Sequence, residues 1–153
     1  AIPEDWEDFV VPSVDDIRKE ARLLLPLLKP ELVQIARENG TERPIGFVVG
    51  APDYNQVLKK LNGRLFPFGV LKVLRYRKKI DGARIFIQFV IPEYQGRGVN
   101  GAIFYHMVLH AKEVGITHGD GSTIGEDNLK SRQSVERAGG RHYRTYRRYQ
   151  RAI

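Results

Sequence analysis

Apolar positions along this chain switch between two spacings, and the switches mark its elements. Residues 1–12 follow neither spacing and contain Pro3 and Pro12, so they read as an irregular segment. Ser13 stands three residues before Asp16, the arrangement of a helix N-cap with its reciprocal acid. Ile17, Ala21, Leu24, Leu25 and Leu28 then recur at helical spacing, which predicts a helix to about Leu28. Pro26 should kink or shorten it, and Pro30 ends it. Leu32 to Ala36 and Ile45 to Gly50 read as two strands, joined by the turn Glu38-Asn39-Gly40-Thr41, whose Asn-Gly is a hairpin signal. Tyr54 to Leu61 reads as a short helix ended by Asn62-Gly63. Phe66-Pro67-Phe68-Gly69 breaks the chain, and Val70 to Lys79 reads as a further helix. Arg84 to Ile91, aromatic and β-branched, is a strand. Ala102 to Val114 is a helix that Gly115 ends.

Composition narrows the class. At 153 residues the chain reads as one domain, 1–153, long enough for a real core, with 52–80 as a helical insertion. It has no cysteine, hence no disulfide, thiolate nucleophile or thiolate metal site. No apolar run approaches the roughly 20 residues that cross a bilayer, and no signal peptide opens the sequence, so a cytoplasmic protein is expected. A start at Ala1 rather than Met suggests a processed or trimmed chain. The net charge of +7 sits in two blocks: residues 52–80 and 128–153 each hold eight basic side chains and one acidic one. Each block taken alone reads first as a solvated face, and the two together make an anionic ligand worth considering.

The strand over 84–91 runs into Pro92-Glu93-Tyr94-Gln95-Gly96-Arg97-Gly98-Val99-Asn100-Gly101-Ala102 and then into a helix. A strand, a glycine-rich turn and a helix start make an anion cradle, because glycines admit a phosphate close to the backbone and the helix offers unbonded N–H groups. The spacing is neither that of a nucleotide-triphosphate loop nor that of a dinucleotide fingerprint. It resembles the pyrophosphate loop of the GNAT superfamily of acyl-CoA-dependent N-acetyltransferases: Gln95 and Gly98 fit, while Asn100 departs at the last position with Gly101 just beyond. A second segment, Glu126-Asp127-Asn128-Leu129-Lys130-Ser131 running to Gly139-Gly140, is similar to the stretch in which the family opens a helix with Asn. Tyr143 to Tyr149 would be the last strand. The resemblance covers roughly residues 31–153.

That resemblance implies an α+β fold, a mixed and mostly antiparallel sheet flanked by helices. It also implies that the family's first strand is missing here, and that the insertion lies between the family's third and fourth strands. The missing strand leaves the chain to pair with an N-terminal part of a longer protein or with a second copy. The function implied is transfer of an acetyl group from acetyl-CoA, as co-substrate and without a metal, to an amine of an acceptor that the sequence does not name. Phe89, Val90 and Ile91 would lie along the pantetheine. The loop from Gln95 through Gly96, Arg97, Gly98, Val99, Asn100 and Gly101 would hold the pyrophosphate. Asn128 would contact the pantetheine arm, and Lys130 or Arg132 the 3′-phosphate, although a solvated helix face explains those two equally well.

The catalytic groups are less legible. A Tyr often follows the family's Asn on the helix, but seven residues past Asn128 stands Val135, which cannot protonate a thiolate. Tyr143 and Tyr146 lie downstream as candidate donors, and packing explains tyrosines of a last strand as well. Glu126 is the first candidate base, with Asp120 beside it; helix-start charge compensation explains Glu126 equally. Ser122 and Asp120, two apart, would share a strand face. His106 and His110, four apart on a helix, lack a third ligand for zinc. Two other classes stay open. One is a GNAT-like domain that binds acyl-CoA without chemistry. The other is a nucleic-acid module built on Arg141 to Arg151, where five Arg mix with Tyr, although no specific nucleic acid is expected. The insertion sets Phe66, Phe68, Val70, Leu71, Val73 and Leu74 beside five cations. It could pack on its own domain, dock on a missing N-terminal half, lie on a membrane, or close over an apolar acceptor.

Overall fold

The computed structural model describes residues 12–61, 63, 69–147, 149 and 151. The expected N-cap opens helix α1, Val14–Leu24: Ser13 Oγ accepts from the Asp16 N–H at 3.2 Å, and the Asp16 carboxylate accepts from the Ser13 N–H at 3.3 Å. Pro26 limits α1 as expected, and the chain tightens into a 3-10 turn over Leu25–Leu27. α1 buries none of its residues. Strand β1, Val33–Arg37, pairs antiparallel with β2, Pro44–Pro52. Gly40 takes the left-handed conformation (φ 89°) that their turn requires.

Two helices then intervene, α2 at Asn55–Leu61 and α3 at Gly69–Tyr76, with a 3-10 turn at Arg77–Lys79. Strand β3, Gly82–Val90, returns antiparallel to β2. Helix α4, Val99–Glu113, leads to the three-residue strand β4, His118–Asp120, which pairs parallel to β3. Helix α5, Leu129–Arg137, closes the regular structure. The sheet order is β1-β2-β3-β4. α2 and α3 lie between β2 and β3, within residues 52–80.

The core lies between α4 and one sheet face. Ile103, Met107 and Ala111 of α4 meet Leu32, Val48, Ala83 and Val90. Glycine lets α4 come this close: a Cβ at Gly46 would stand 3.2 Å from Ile103 Cδ1, and one at Gly50 would collide with Met107 Cε. The opposite face carries cross-strand apolar rows, Val33-Val49-Ile87 and Ile35-Phe47-Phe89. It is only partly covered, with Ile35 and Ile87 each more than half exposed.

Two expectations need correction. Among the described residues, the chain from Arg141 to Arg147 has no regular structure where a last strand was expected, and Tyr143, Tyr146 and Tyr149 are exposed. Tyrosines at every third residue do not put one face of a strand on a core, and β4, the edge such a strand would need, is three residues long. Ser122 does not share a strand face with Asp120, because β4 ends at Asp120 and Ser122 turns out with φ 59°. Phe66 and Phe68 lie outside the described residues. No helix among the described residues is long and apolar enough to cross a membrane.

Candidate functional site

β3 and β4 pair only over Gly82–Arg84 and His118–Asp120. The next residues separate them. Ser122 donates its N–H to Asp120 Oδ1 at 2.8 Å and its hydroxyl to the Ile85 carbonyl at 2.5 Å, which ends the pairing. From Phe86 onward the β4 side of β3 has no strand partner among the described residues. Antiparallel pairs alternate between bonded and non-bonded. The Ile91 N–H donates to the Ile45 carbonyl at 3.0 Å, so Ile87, Phe89 and Ile91 turn their main chain toward β2. Gln88 and Val90 therefore present theirs to the open side. Of the three residues expected along a ligand arm, only Val90 points its N–H that way. A bulge opposite Val49 and Gly50 leaves Phe86 without a β2 partner, an irregularity typical of strands beside active sites.

The loop that follows is fastened to this strand. Gln95 donates its side-chain amide to the Val90 carbonyl at 3.0 Å. Gly96 and Gly98 are left-handed (φ 74° and 80°), and Gly98 is the N-cap of α4 without any capping side chain. The first N–H bonded within the helix is that of Ala102, to the Gly98 carbonyl at 3.0 Å. The amides of Val99, Asn100 and Gly101 therefore have no intrahelical acceptor. A Cβ at Gly96, Gly98 or Gly101 would meet nothing within 4 Å, so these glycines face open space. Uncapped amides, the helix dipole and open space together suit an anion.

Arg97 does not hang free beside them. Its guanidinium stacks over the Tyr94 ring at 5.3 Å. The Tyr94 hydroxyl donates to the Glu38 carboxylate, which also accepts from the Thr41 hydroxyl at 2.6 Å. The Thr41 and Tyr94 bonds hold the Glu38 carboxyl below its ordinary range, and the Glu38 bond pushes the Tyr94 phenol up. The turn between β1 and β2 thus braces the loop's cation.

α5 approaches the same loop. Asn100 donates from Nδ2 to Ser134 Oγ at 3.5 Å, and its Oδ1 is buried without a partner. Asn128 caps α5, accepting the Ser131 N–H on Oδ1 at 3.1 Å, which leaves its Nδ2 to donate elsewhere. Arg132 is paired with Glu136 at 2.9 Å. Lys130 is exposed. Val135 is half-buried and packs against Gly140, where a Cβ would stand 2.5 Å from Val135 Cγ1.

A second polar cluster sits where β3 and β4 part. Asp120 Oδ2 lies 3.3 Å from Arg84 Nη2 and accepts the Tyr143 hydroxyl at 2.9 Å. That bond raises the Tyr143 phenol above its ordinary range. Sequence reasoning missed Arg84, although a cation in an otherwise apolar strand signals a partner. Tyr146 is not part of the cluster; its hydroxyl accepts from Arg144 Nη1 at 3.2 Å. Glu126 is exposed in the turn before α5, with no hydrogen bond from its side chain to another described residue. Among the described residues, no group of three or more His, Asp or Glu could hold a metal ion.

No protein-family model matches the chain. A bacterial ceramide synthase of Caulobacter vibrioides is 28% identical over 158 aligned residues, taking in 97% of this chain and 40% of that protein. Protein YghO of Escherichia coli is 31% identical over 134, taking in 83% of this chain and 34% of that protein. The chain thus spans two fifths or less of the length of these curated relatives. Among solved structures, the aminoglycoside N-acetyltransferase AAC(6')-Iy, bound to a bisubstrate analogue built on CoA, superposes with a TM-score of 0.59 at 17% identity, over 97% of this chain and 84% of its own. The 6'-N-acetyltransferase AAC(6')-Ih from Acinetobacter baumannii gives 0.58 at 20% identity over the same shares. An acetyltransferase of Trypanosoma brucei gives 0.54 at 15% identity, over 92% of this chain and 82% of its own. The chain has the fold of the GNAT acetyltransferases, the family its two motifs resemble.

Proposed function

We propose that this chain is the acyl-CoA-binding and transfer unit of an N-acyltransferase. The observation that carries this reading is one continuous surface: the open β3 edge at Gln88 and Val90, the Gln95–Val90 bond, and the uncapped start of α4. Pantetheine pairs with the edge, and its thioester carbonyl takes an outward N–H. The pyrophosphate sits on the amides from Gly96 to Gly101, with Arg97 as counter-charge. Asn128 Nδ2 reaches the pantetheine arm, and Lys130 or Arg132 the 3′-phosphate.

In the reaction the amine nitrogen attacks the thioester carbon; the C–N bond forms and the C–S bond breaks. The nitrogen proton passes to Asp120, Tyr143 gives its proton to the leaving thiolate, and Asp120 restores it across their existing bond. Glu126, directly or through water, and Tyr146 are the alternative base and acid.

The acceptor is an apolar amine rather than a polycation. The segment at the far end of β3 from the loop carries eight basic side chains and one acidic one, which would repel a polycation such as an aminoglycoside. The relative named as a ceramide synthase points the same way, since a ceramide is the N-acyl form of a long-chain amino alcohol. Whether the donor is acetyl-CoA or a longer acyl-CoA is then an assay question. Full-length protein is titrated with CoA by calorimetry, and thiol release is followed with acetyl- and long-chain acyl-CoA against long-chain amines. Absence of CoA binding would refute the reading. Binding without thiol release favours a non-catalytic acyl-CoA domain, for which Val135 in the usual donor position already speaks.

A further inference from the structure

We propose that the α2–α3 insertion is a docking face for an anionic lipid bilayer. α3 has three distinct sides. At about 100° per residue, Gly69, Val73 and Tyr76 fall together; they are buried or half-buried, and α3 packs on α2. Val70, Leu71 and Leu74 form a second side, exposed at 46%, 64% and 46%. Lys72 and Arg75 form a third, and Arg77, Lys78 and Lys79 follow in the 3-10 turn.

The charge identifies the occupant. Lys59 and Lys60 of α2 and five further cations from Lys72 to Lys79 are all exposed, and no acid occurs between Asp53 and Asp81. None of the ion pairs among the described residues uses one of these cations. Lys60 and Lys79 also line a shallow cleft between α2 and the end of α3, together with Gln56, Val57 and Tyr76. A polyanion such as nucleic acid would use the charges and leave Leu71 and Leu74 in water. The interior of another protein would cover the leucines and strand the cations. An anionic bilayer surface satisfies both sides at once, because apolar side chains enter the acyl boundary while cations meet headgroups. The charge argument does not apply to α1, whose three acids and three bases cancel. The proposal stands apart from the transfer reading, since bilayer binding is read without CoA.

The experiment is co-sedimentation of the full-length protein with vesicles of phosphatidylcholine and phosphatidylglycerol in a two-to-one ratio, and with phosphatidylcholine alone. Binding is expected to the first and not to the second, and should weaken with salt. The triple variant Lys72→Gln/Arg75→Gln/Lys79→Gln should lose on the order of a hundredfold in partitioning, at about 1 kcal/mol per basic side chain near an anionic surface. Leu71→Ser/Leu74→Ser, checked for retained helicity by circular dichroism, should lose at least about tenfold. Arg147→Gln/Arg151→Gln, in the other basic block, should bind as the unaltered protein does. No binding to anionic vesicles by the full-length protein would mean the face is covered from within, and would overturn the proposal. Equal losses in the Arg147/Arg151 variant, or none in the leucine variant, would reduce it to diffuse charge and also overturn it.

Discussion

Gly98 offers a way to separate the loop's fold from its ligand. Its φ of 80° lies in the left-handed region, and a Cβ there would meet nothing within 4 Å. Gly115, at the end of α4, has φ 79° and equally open surroundings. Valine at either position therefore suffers the same penalty, backbone strain of about 1–2 kcal/mol and no clash. For a chain of this size that is roughly 3–6 °C of melting temperature. The two variants should consequently melt alike by circular dichroism. They should differ in CoA titration. Gly98→Val puts a branched side chain over amides proposed to meet the pyrophosphate and should weaken CoA at least tenfold, about 1.4 kcal/mol. Gly115→Val, a helix length away, should bind as the unaltered protein does. If Gly98→Val keeps full CoA affinity, or Gly115→Val loses as much, the loop is not the phosphate site.

Three further outcomes are expected. Tyr143→Phe removes only a hydroxyl and should cut kcat while sparing CoA affinity; Tyr146→Phe should change little, and the reverse pattern would reassign the donor. Glu38 is held below its ordinary value near 4.5 by Thr41 and then Tyr94, so its contribution to stability is full above 4.5 and is lost as pH falls through the lower folded value. Glu38→Gln should flatten that acid limb in urea melts measured across pH, and an unchanged limb would mean the brace on Arg97 is not made in solution. Nucleic acid should bind weakly, without sequence preference, and be lost steeply with salt; tight selective binding at physiological salt would restore the nucleic-acid reading.

Local signals were legible in the sequence where the physics is local. The Ser13–Asp16 cap, the Asn-Gly turn, Pro26 and the Gly115 stop each act within a few residues, and each appears in the structure. The strand over 84–91 was legible from its β-branched and aromatic content, and α4 from the glycine that ends it. Interactions distant in sequence were not. Tyr143 meets Asp120 across 23 positions and Arg84 pairs with Asp120 across 36, distances over which no pattern operates. The same limit explains the strand expected over 143–149. Its aromatic content resembles a strand's, but its tyrosines recur every third residue rather than every second, and strand formation also depends on an edge elsewhere in the chain.

The bond from Gln95 to the Val90 carbonyl does more than anchor a turn. It makes the glycine loop and the open strand edge a single rigid gauge with two marks, the amides of the loop and the outward N–H of Gln88. A chain paired only along a strand edge can slip by two residues at little cost, because edge pairing alone fixes register weakly. A ligand held also at the loop cannot slip. On the proposed reading, the phosphates that take no part in the chemistry set where the thioester stops. A short thioester without them would sample several stops, and its poor turnover would be a failure of alignment, showing in kcat as well as in KM.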